Sequence, residues 1–421
     1  MTRTASLLND CFLHDKDRLR HSEVLDLLKE RVTTVAESEN CKLSEALGRF
    51  LSTPVAAPRD VPLHDNSAVD GFAFSHADYR ESGTLRTGPV IAAGDLADYS
   101  LDKGEAARIF TGAAIPEGAD TVAMQEDCTV AADQITVPFG LKSGANLRKA
   151  GEDIKSGDVV IAPGKRLRPQ EIASLASLGL SEVPVFRPIR VAIISTGNEL
   201  LETGQATPIT AGQVFDSNSA MLVSLCASLP VTVSRLGIVP DIASNVEETI
   251  AHAAADHDVI LTTGGASRGD EDHVVATIDR LGKRHAWQIA IKPGRPMTFG
   301  QIGDCVFMGL PGNPVAAFVC FLLYCRPALT ILGGGDYVEP TRFRVAAGFT
   351  IDRKKPDRRE FLRGWLTNCE SGPVARKFER DGSGLISGLR AADGLIELDE
   401  ETRSVAPGQM ISYIPFNEFG V

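Results

Sequence analysis

Three consecutive acids, Asp270, Glu271 and Asp272, follow the glycines Gly264, Gly265 and Gly269 in the segment "DVILTTGGASRGDEDHVV". Glycine loops that leave a strand and open a helix usually bind anions, because free backbone N–H groups and the helix dipole both favour negative charge. Carboxylates repel anions, so these acids either cap a helix or hold a cation against an anionic ligand. Other acids follow other apolar segments: Glu199 in "STGNEL" and Asp241 in "VPD". Lys292 and Arg295 in "KPGRP" add positive charge. Carboxylates at one rim, N–H donors and nearby cations suit a phosphorylated ligand with Mg²⁺, which takes few carboxylates and completes its octahedron with phosphate and water. Each residue also has a bland reading. Asp241 serves as a turn residue or cap, Asp270 or Asp272 complements a helix N-terminus, Glu199 is a first-turn acid, and Ser267 faces solvent.

What unites them is the pattern of elements. Residues 189–333 alternate between strand and helix periods. "IRVAIIS", "VTVSRLGIV", "DVILTT", "AWQIAIKPG" and "DCVFMGL" read as strands, with "SNSAMLVSLCASL", "SNVEETIAHAAAD", "DHVVATIDRLG" and "NPVAAFVCFLLYCRPAL" as helices. Ser244 and Glu247 form a capping-box pair for the second helix. Such alternation implies βαβ units and a largely parallel sheet covered on both faces, with ligands outside the carboxyl ends of its strands. "STGNEL", "VPD", "TTGGASRGDED" and "GLPGNP" all lie at such ends. They should meet in one crevice.

The same glycine loop contains a decoy, since Gly265-Ala266-Ser267-Arg268-Gly269 matches the G-x-S-x-G nucleophile elbow. That chemistry needs a later acid and then a later histidine, yet only His273 and His285 follow Ser267. A Walker A loop is absent, and the Rossmann-like "GSGLIS" lies outside the α/β region.

At 421 residues the chain should hold two to four domains. Lys+Arg 43 against Asp+Glu 55 gives a net charge of −12, without a basic run, which argues against nucleic-acid or anionic-membrane surfaces. The 8 cysteines show no CxxC pair and the N-terminus is polar, a reduced, cytoplasmic pattern. Cys320 and Cys325, in "VAAFVCFLLYC", read as core thiols, and that run is about half a bilayer crossing. No transmembrane segment is expected.

The expected fold class is α/β multidomain. An elongated discontinuous helical/mixed domain spans 18–55 and 158–188, with a helical pattern over 21–51. A β-rich domain spans 56–157, the parallel-sheet α/β domain 189–337, and a C-terminal β-barrel-like domain 338–421. The β-rich domain offers Asp65 and Asp70, Thr111, and Arg148 with Glu152 and Asp153, in loops that elsewhere are surface turns.

The series "SAVDGFA", "FTGAAIPEGADTV", "GEDI", "STGNEL", "DSNS", "TTGGASRGDED", "IKPGRP" and "GLPGNPVAAF" resembles the molybdopterin molybdenumtransferase family (MoeA, with the E domain of gephyrin), in order along nearly the whole chain. The resemblance implies insertion of molybdate into adenylylated molybdopterin, with Mg²⁺ and release of AMP. It implies an α/β domain of the molybdopterin-binding type and an elongated homodimer, in which the β-rich domain of one protomer closes the cleft of the other. Implied partners are molybdopterin adenylyltransferase and molybdoenzyme maturation proteins. Carried over by motif, Asp241 and Asp272 hold Mg²⁺, and Glu199 lies in the pterin pocket. Lys292 and Arg295 grip molybdate or phosphate. Asp70, Thr111, Arg148 and Asp153 reach over the cleft. Asp216, Gly264, Gly265, Ser267, Pro311 and Pro314 bind substrate, and Arg363 and Ser387 help with molybdate. Arg295 stands where the family has lysine, offering a planar fork instead of a point charge. Ala316 and Gln288 replace a serine and a basic residue of the pattern. The alternative is a non-catalytic pterin-binding or scaffolding protein.

Overall fold

The computed structural model describes residues 18–95, 98–204, 209–264, 273–370 and 372–421. Its centre is a 6-stranded sheet in the order Val231–Val239, Ile189–Thr196, Val259–Thr263, Cys305–Leu310, Pro296–Ile302, Lys283–Gln288. The strands as far as Cys305–Leu310 are parallel, and the last two join through successive antiparallel pairings. The sequence reading missed Pro296–Ile302 and with it this antiparallel edge. Ile302 faces Cys305 across the two residues Gly303 and Asp304, with Gly303 at φ 58°, and so short a loop can only return the chain antiparallel.

Alternation along the strand Ile189–Thr196 sorts its side chains into two cores. Ile189, Val191 and Ile193 join Leu222, Leu225 and Cys226 and the helical stretch 314–332 on one face. Ala192 and Ile194 join Val246, Ile250, Val274 and Ile278 on the other. Both faces are therefore covered, as parallel strands require.

The helix over Pro314–Leu332 is 19 residues long and apolar enough to cross a membrane, longer than the sequence reading allowed. Here 83% of its window is buried within the protein, and Cys320 and Cys325 are core thiols at 0% exposure. A π-helical turn at Phe321–Cys325 interrupts it just before Pro327, whose missing N–H cannot continue the regular ladder.

The helical pattern over 21–51 is realised only as His21–Arg31. The β-branched run Val32-Thr33-Thr34-Val35 follows, and its side chains lose rotamer freedom in a helix. Ser38–Lys42 is instead a strand, paired antiparallel with Glu182–Phe186. Cys41, Leu51 and Val55 share an apolar cluster with Ile161, Leu175 and Val185, so segments flanking the β-rich region meet. Val24, Leu25 and Leu28 pack instead into the core of the helix Pro314–Leu332.

Ser244 and Glu247 do not form the expected capping box. The helix starts at Ala243 with Ile242 at its cap, and Arg280 takes the Glu247 carboxylate. A charged partner outcompetes a backbone N–H.

Between these segments, Thr121–Met124, Gly71–Phe74, Glu105–Ile109, Thr84–Ile91, Gln134–Thr136 and Thr129–Ala131 form another 6-stranded sheet, over a core of Phe72, Phe74, Tyr79, Leu85 and Ile135. Near the C-terminus, Arg359–Cys369, Gly372–Lys377, Phe343–Ala347, Met410–Pro415 and Gly394–Leu398 close into a barrel, because the last pairs back onto the first. One more strand joins it from outside: Ile291–Lys292 pairs in parallel with Arg359 and Glu360.

Candidate active site

The parallel strands end level with one another. Thr196 is in register with Val239, Ser195 with Thr263, and Thr263 with Leu310, so the four predicted loops leave from the same edge. Asp241 is half-buried there, and its amide donates to Asn198 Oδ1 at 3.2 Å. Glu199 is exposed and folds over Gly197, where an added Cβ would lie 2.6 Å from Glu199 Oε2. Gly264 has φ 92° and no room for a side chain, since a Cβ would stand 2.6 Å from the Thr196 carbonyl oxygen. Gly265, Ser267 and Asp272 lie outside the described residues. Among the described residues, no group of three or more His, Cys, Asp or Glu gathers as a metal cluster.

A buried amide ties this rim together. Asn218 Nδ2 donates to Thr263 Oγ1 and to the Gly312 carbonyl, both at 2.7 Å, while Asn218 Oδ1 is buried without a partner. Sequence reasoning quoted its "DSNS" context but did not single it out. Asp216 is 2% exposed and caps the same helix, accepting from the Ser219 amide at 3.0 Å and from Ser195 Oγ at 2.7 Å. In this arrangement it braces the rim.

Gly312 has a second role through its neighbours. Pro311 and Asn313 line a cleft of about 440 Å³ between the sheet edge and the barrel. Pro314 begins the helix behind it. Arg18, Lys292, Arg295, Lys355 and Arg358 line the cleft, with Ala316 in its wall. A parallel bridge of Leu19 to Ile289 holds Arg18 there, with Leu19 N–H donating to Gln288 O at 2.9 Å and Ala290 N–H to Leu19 O at 2.8 Å. Cys320 Sγ lies 3.4 Å from the Gly294 carbonyl, seating the "KPGRP" loop on the core helix, and burial pushes that thiol up to about 12.

Three of the cleft cations, Arg295, Lys292 and Arg358, have an orienting partner. Arg295 Nε donates to Gln288 Oε1 at 2.9 Å. Lys292 Nζ lies 3.8 Å from Glu360 Oε2, and Arg358 donates to Glu360 Oε1 from Nε at 2.9 Å and Nη2 at 2.6 Å. Sequence reasoning missed Arg18, Lys355, Arg358 and Glu360. The signal was the charge run "RKKPDRRE", whose partner Lys292 is distant in sequence. Arg363 is 5% exposed, and its terminal nitrogens donate to Leu385 O at 3.0 Å and Arg380 O at 2.6 Å. It lines a small adjoining cavity with Lys292, and burial lowers its pKa. Ser387 is exposed in the helix Ile386–Arg390, outside the lining of either cavity.

In the β-rich region Asp70 accepts from the Thr111 amide at 2.7 Å and hydroxyl at 2.8 Å, which holds its carboxyl below the usual carboxylate range. Arg148 faces Asn66 in a short antiparallel pair, and Asp153 is exposed. Among the described residues, none of these four makes a hydrogen bond or ion pair to the sheet edge.

Residues 19–179 match the MoeA N-terminal region (domain I and II), residues 192–331 a probable molybdopterin binding domain, and residues 348–416 the MoeA C-terminal region (domain IV). A molybdopterin molybdenumtransferase of Haemophilus influenzae is 36% identical over 391 residues, covering 92% of this chain and 96% of that protein. This chain belongs to the molybdopterin molybdenumtransferase family. The family's Bacillus subtilis molybdopterin molybdenumtransferase is 32% identical, over 91% of this chain and 90% of its own length. The solved molybdopterin biosynthesis MoeA protein of Pyrococcus horikoshii OT3 superposes with a TM-score of 0.81 at 29% identity, over 95% of this chain and 100% of that one. The family's multidomain α/β architecture is thus present throughout.

Proposed function

We infer that this chain is a molybdopterin molybdenumtransferase, placing molybdate on the dithiolene of adenylylated molybdopterin and releasing AMP. The observation that carries this reading is the loop Pro311–Asn313, which is shared by two chemically opposite sites. Gly312 is tied through Asn218 to the acidic rim, while Pro311 and Asn313 line the basic cleft. A ligand with a pyrophosphate at the rim would therefore present its other end to the cleft.

Lys292 and Arg295 would hold molybdate or a phosphate there as a paired charge and fork. The dithiolene sulfurs of the pterin are the ligands of molybdenum, so no protein thiol is needed, consistent with buried Cys320 and Cys325. At the rim, Asp241 and Asp272 would hold Mg²⁺. Asp241 suits that role: it is a half-buried hard oxygen donor whose carboxylate has no ion pair among the described residues. When bound, the cation neutralises charge that develops as the phosphoanhydride breaks. Glu199 borders the pterin pocket, and Gly264 gives the backbone close approach to it.

Asp70, Thr111, Arg148 and Asp153 serve the rim of a partner protomer in this reading, so the working unit is a homodimer. Molybdopterin adenylyltransferase would deliver the substrate and maturation proteins would take the product. The purified chain, given adenylylated molybdopterin, molybdate and Mg²⁺, should release AMP. Asp272→Ala should abolish release while sedimentation still finds a dimer. Pterin binding without AMP release by the unmodified chain would leave only a scaffold.

A further inference from the structure

Glu360 is 5% exposed, so its carboxylate must be neutralised by the protein rather than by water. It is shared by two cations that reach it from different parts of the fold. Lys292 comes from the sheet side, and Arg358 from the barrel. Strand register enforces the meeting, because Lys292 pairs with Glu360 where Ile291–Lys292 joins the barrel, and the Arg359 N–H donates to Ala290 O at 2.8 Å.

Arg358 is pinned at both ends. Its guanidinium is locked by two hydrogen bonds to Glu360 Oε1, and its carbonyl accepts at 2.6 Å from Nζ of Lys354, which is itself 3% exposed. Burial lowers the Lys354 pKa, while the carbonyls of Lys355 and Arg358 accept from its ammonium and favour the charged form. A side chain so fixed loses little entropy on gripping a ligand. It is one-quarter exposed, and it faces the cleft. Arg363, the barrel arginine expected from the sequence, instead spends both terminal nitrogens on carbonyls and stacks 5.1 Å from the Phe378 ring.

We propose that Arg358 is an anion-binding residue of this cleft and that Glu360 is the positioning residue that sets it and Lys292 against one tetrahedral oxyanion. This rests on the functional reading above. The oxyanion is either molybdate or the phosphate of the pterin substrate, and Arg358 supplies the barrel-side fork opposite Arg295. Glu360 acts only through the two cations it holds.

The test is steady-state AMP release by the full chain, with molybdate and adenylylated molybdopterin varied in turn. Arg358→Gln should raise KM for one of them about tenfold, the loss of one charge-assisted hydrogen bond, and leave kcat within about twofold. A rise in KM for molybdate assigns the fork to the metal oxyanion; a rise in KM for the pterin substrate assigns it to phosphate. Arg358→Lys keeps the charge without the fork and should recover part of the loss, to about threefold. Glu360→Gln leaves both cations present but unpinned and should also raise the same KM, about threefold. If Arg358→Gln does not fold, by its circular dichroism, Arg358→Lys carries the test alone. Unchanged KM values for both substrates in a folded Arg358 variant would overturn the proposal and leave the enzyme reading intact. No AMP release by the unmodified chain would overturn both.

Discussion

The acidic rim and the basic cleft share one loop, yet they are built by opposite means. At the rim, Glu199 is exposed, Asp241 has no ion pair among the described residues, and the backbone is shaped by glycines at positive φ. In the cleft, Lys292, Arg295 and Arg358 each have an oxygen partner, and a strand pairing welds the sheet to the barrel. Under the proposed function, like charges at the rim need a cation between them, so the rim would be completed by its ligand. Cations set against fixed oxygens are ready beforehand. On the proposed function, the rim would answer to metal and substrate, and the cleft to the integrity of the fold.

That contrast can be broken most severely at Gly264. Gly264→Ala puts a Cβ 2.6 Å from the Thr196 carbonyl at φ 92°, which should cost about 1–3 kcal/mol of stability, read as a lower denaturant midpoint. In the cleft, Lys292→Gln should raise the same substrate KM as Arg358→Gln, at least about tenfold with the fold unchanged, since a charged partner of the oxyanion is lost.

A pH series sharpens the difference further. His21 is 1% exposed behind the cleft, its Nδ1 2.9 Å from the Tyr324 hydroxyl and its ring edge-on to Phe361. Burial, with help from Arg359 and Arg342, lowers its pKa to about 3 from an ordinary 6.5. Below about pH 6.5 the unfolded chain takes up this proton and the folded chain does not, so stability falls as the pH drops from 6.5 toward 3. This group contributes at most about 1.4 kcal/mol per pH unit. Thermal midpoints of the wild type should decline over that window, and His21→Asn should decline less steeply. The smallest effect is expected from Ala316→Ser, which adds a hydroxyl to the cleft wall and should shift molybdate KM by no more than about threefold.

Much of this was legible in the chain itself. Strand and helix periods located the parallel strands, and topology sent "STGNEL", "VPD" and "GLPGNP" to one edge because parallel strands share an end. The "KPGRP" cations were visible as residue types. What escaped depends on partners distant in sequence. Nothing local distinguishes Arg358 and Glu360 from a solvated charge run until strand pairing puts Lys292 beside them. The strand Pro296–Ile302, second from the sheet's antiparallel end, carries Gly300 and Gln301 and opens with proline, which dilutes its apolar pattern. The helix after His21 was overextended because its apolar spacing continues through a β-branched run that the backbone does not follow.

If the rim performs the bond cleavage and the cleft holds the oxyanion, the two functions separate on losing one rim carboxylate. Asp241→Asn tests this most directly, by titrating molybdate calorimetrically and measuring AMP release on the same sample. Molybdate affinity should stay within about twofold of the wild type while AMP release slows on the order of 100-fold or more. Molybdate binding lost in proportion to AMP release, or release at the wild-type rate, would contradict it.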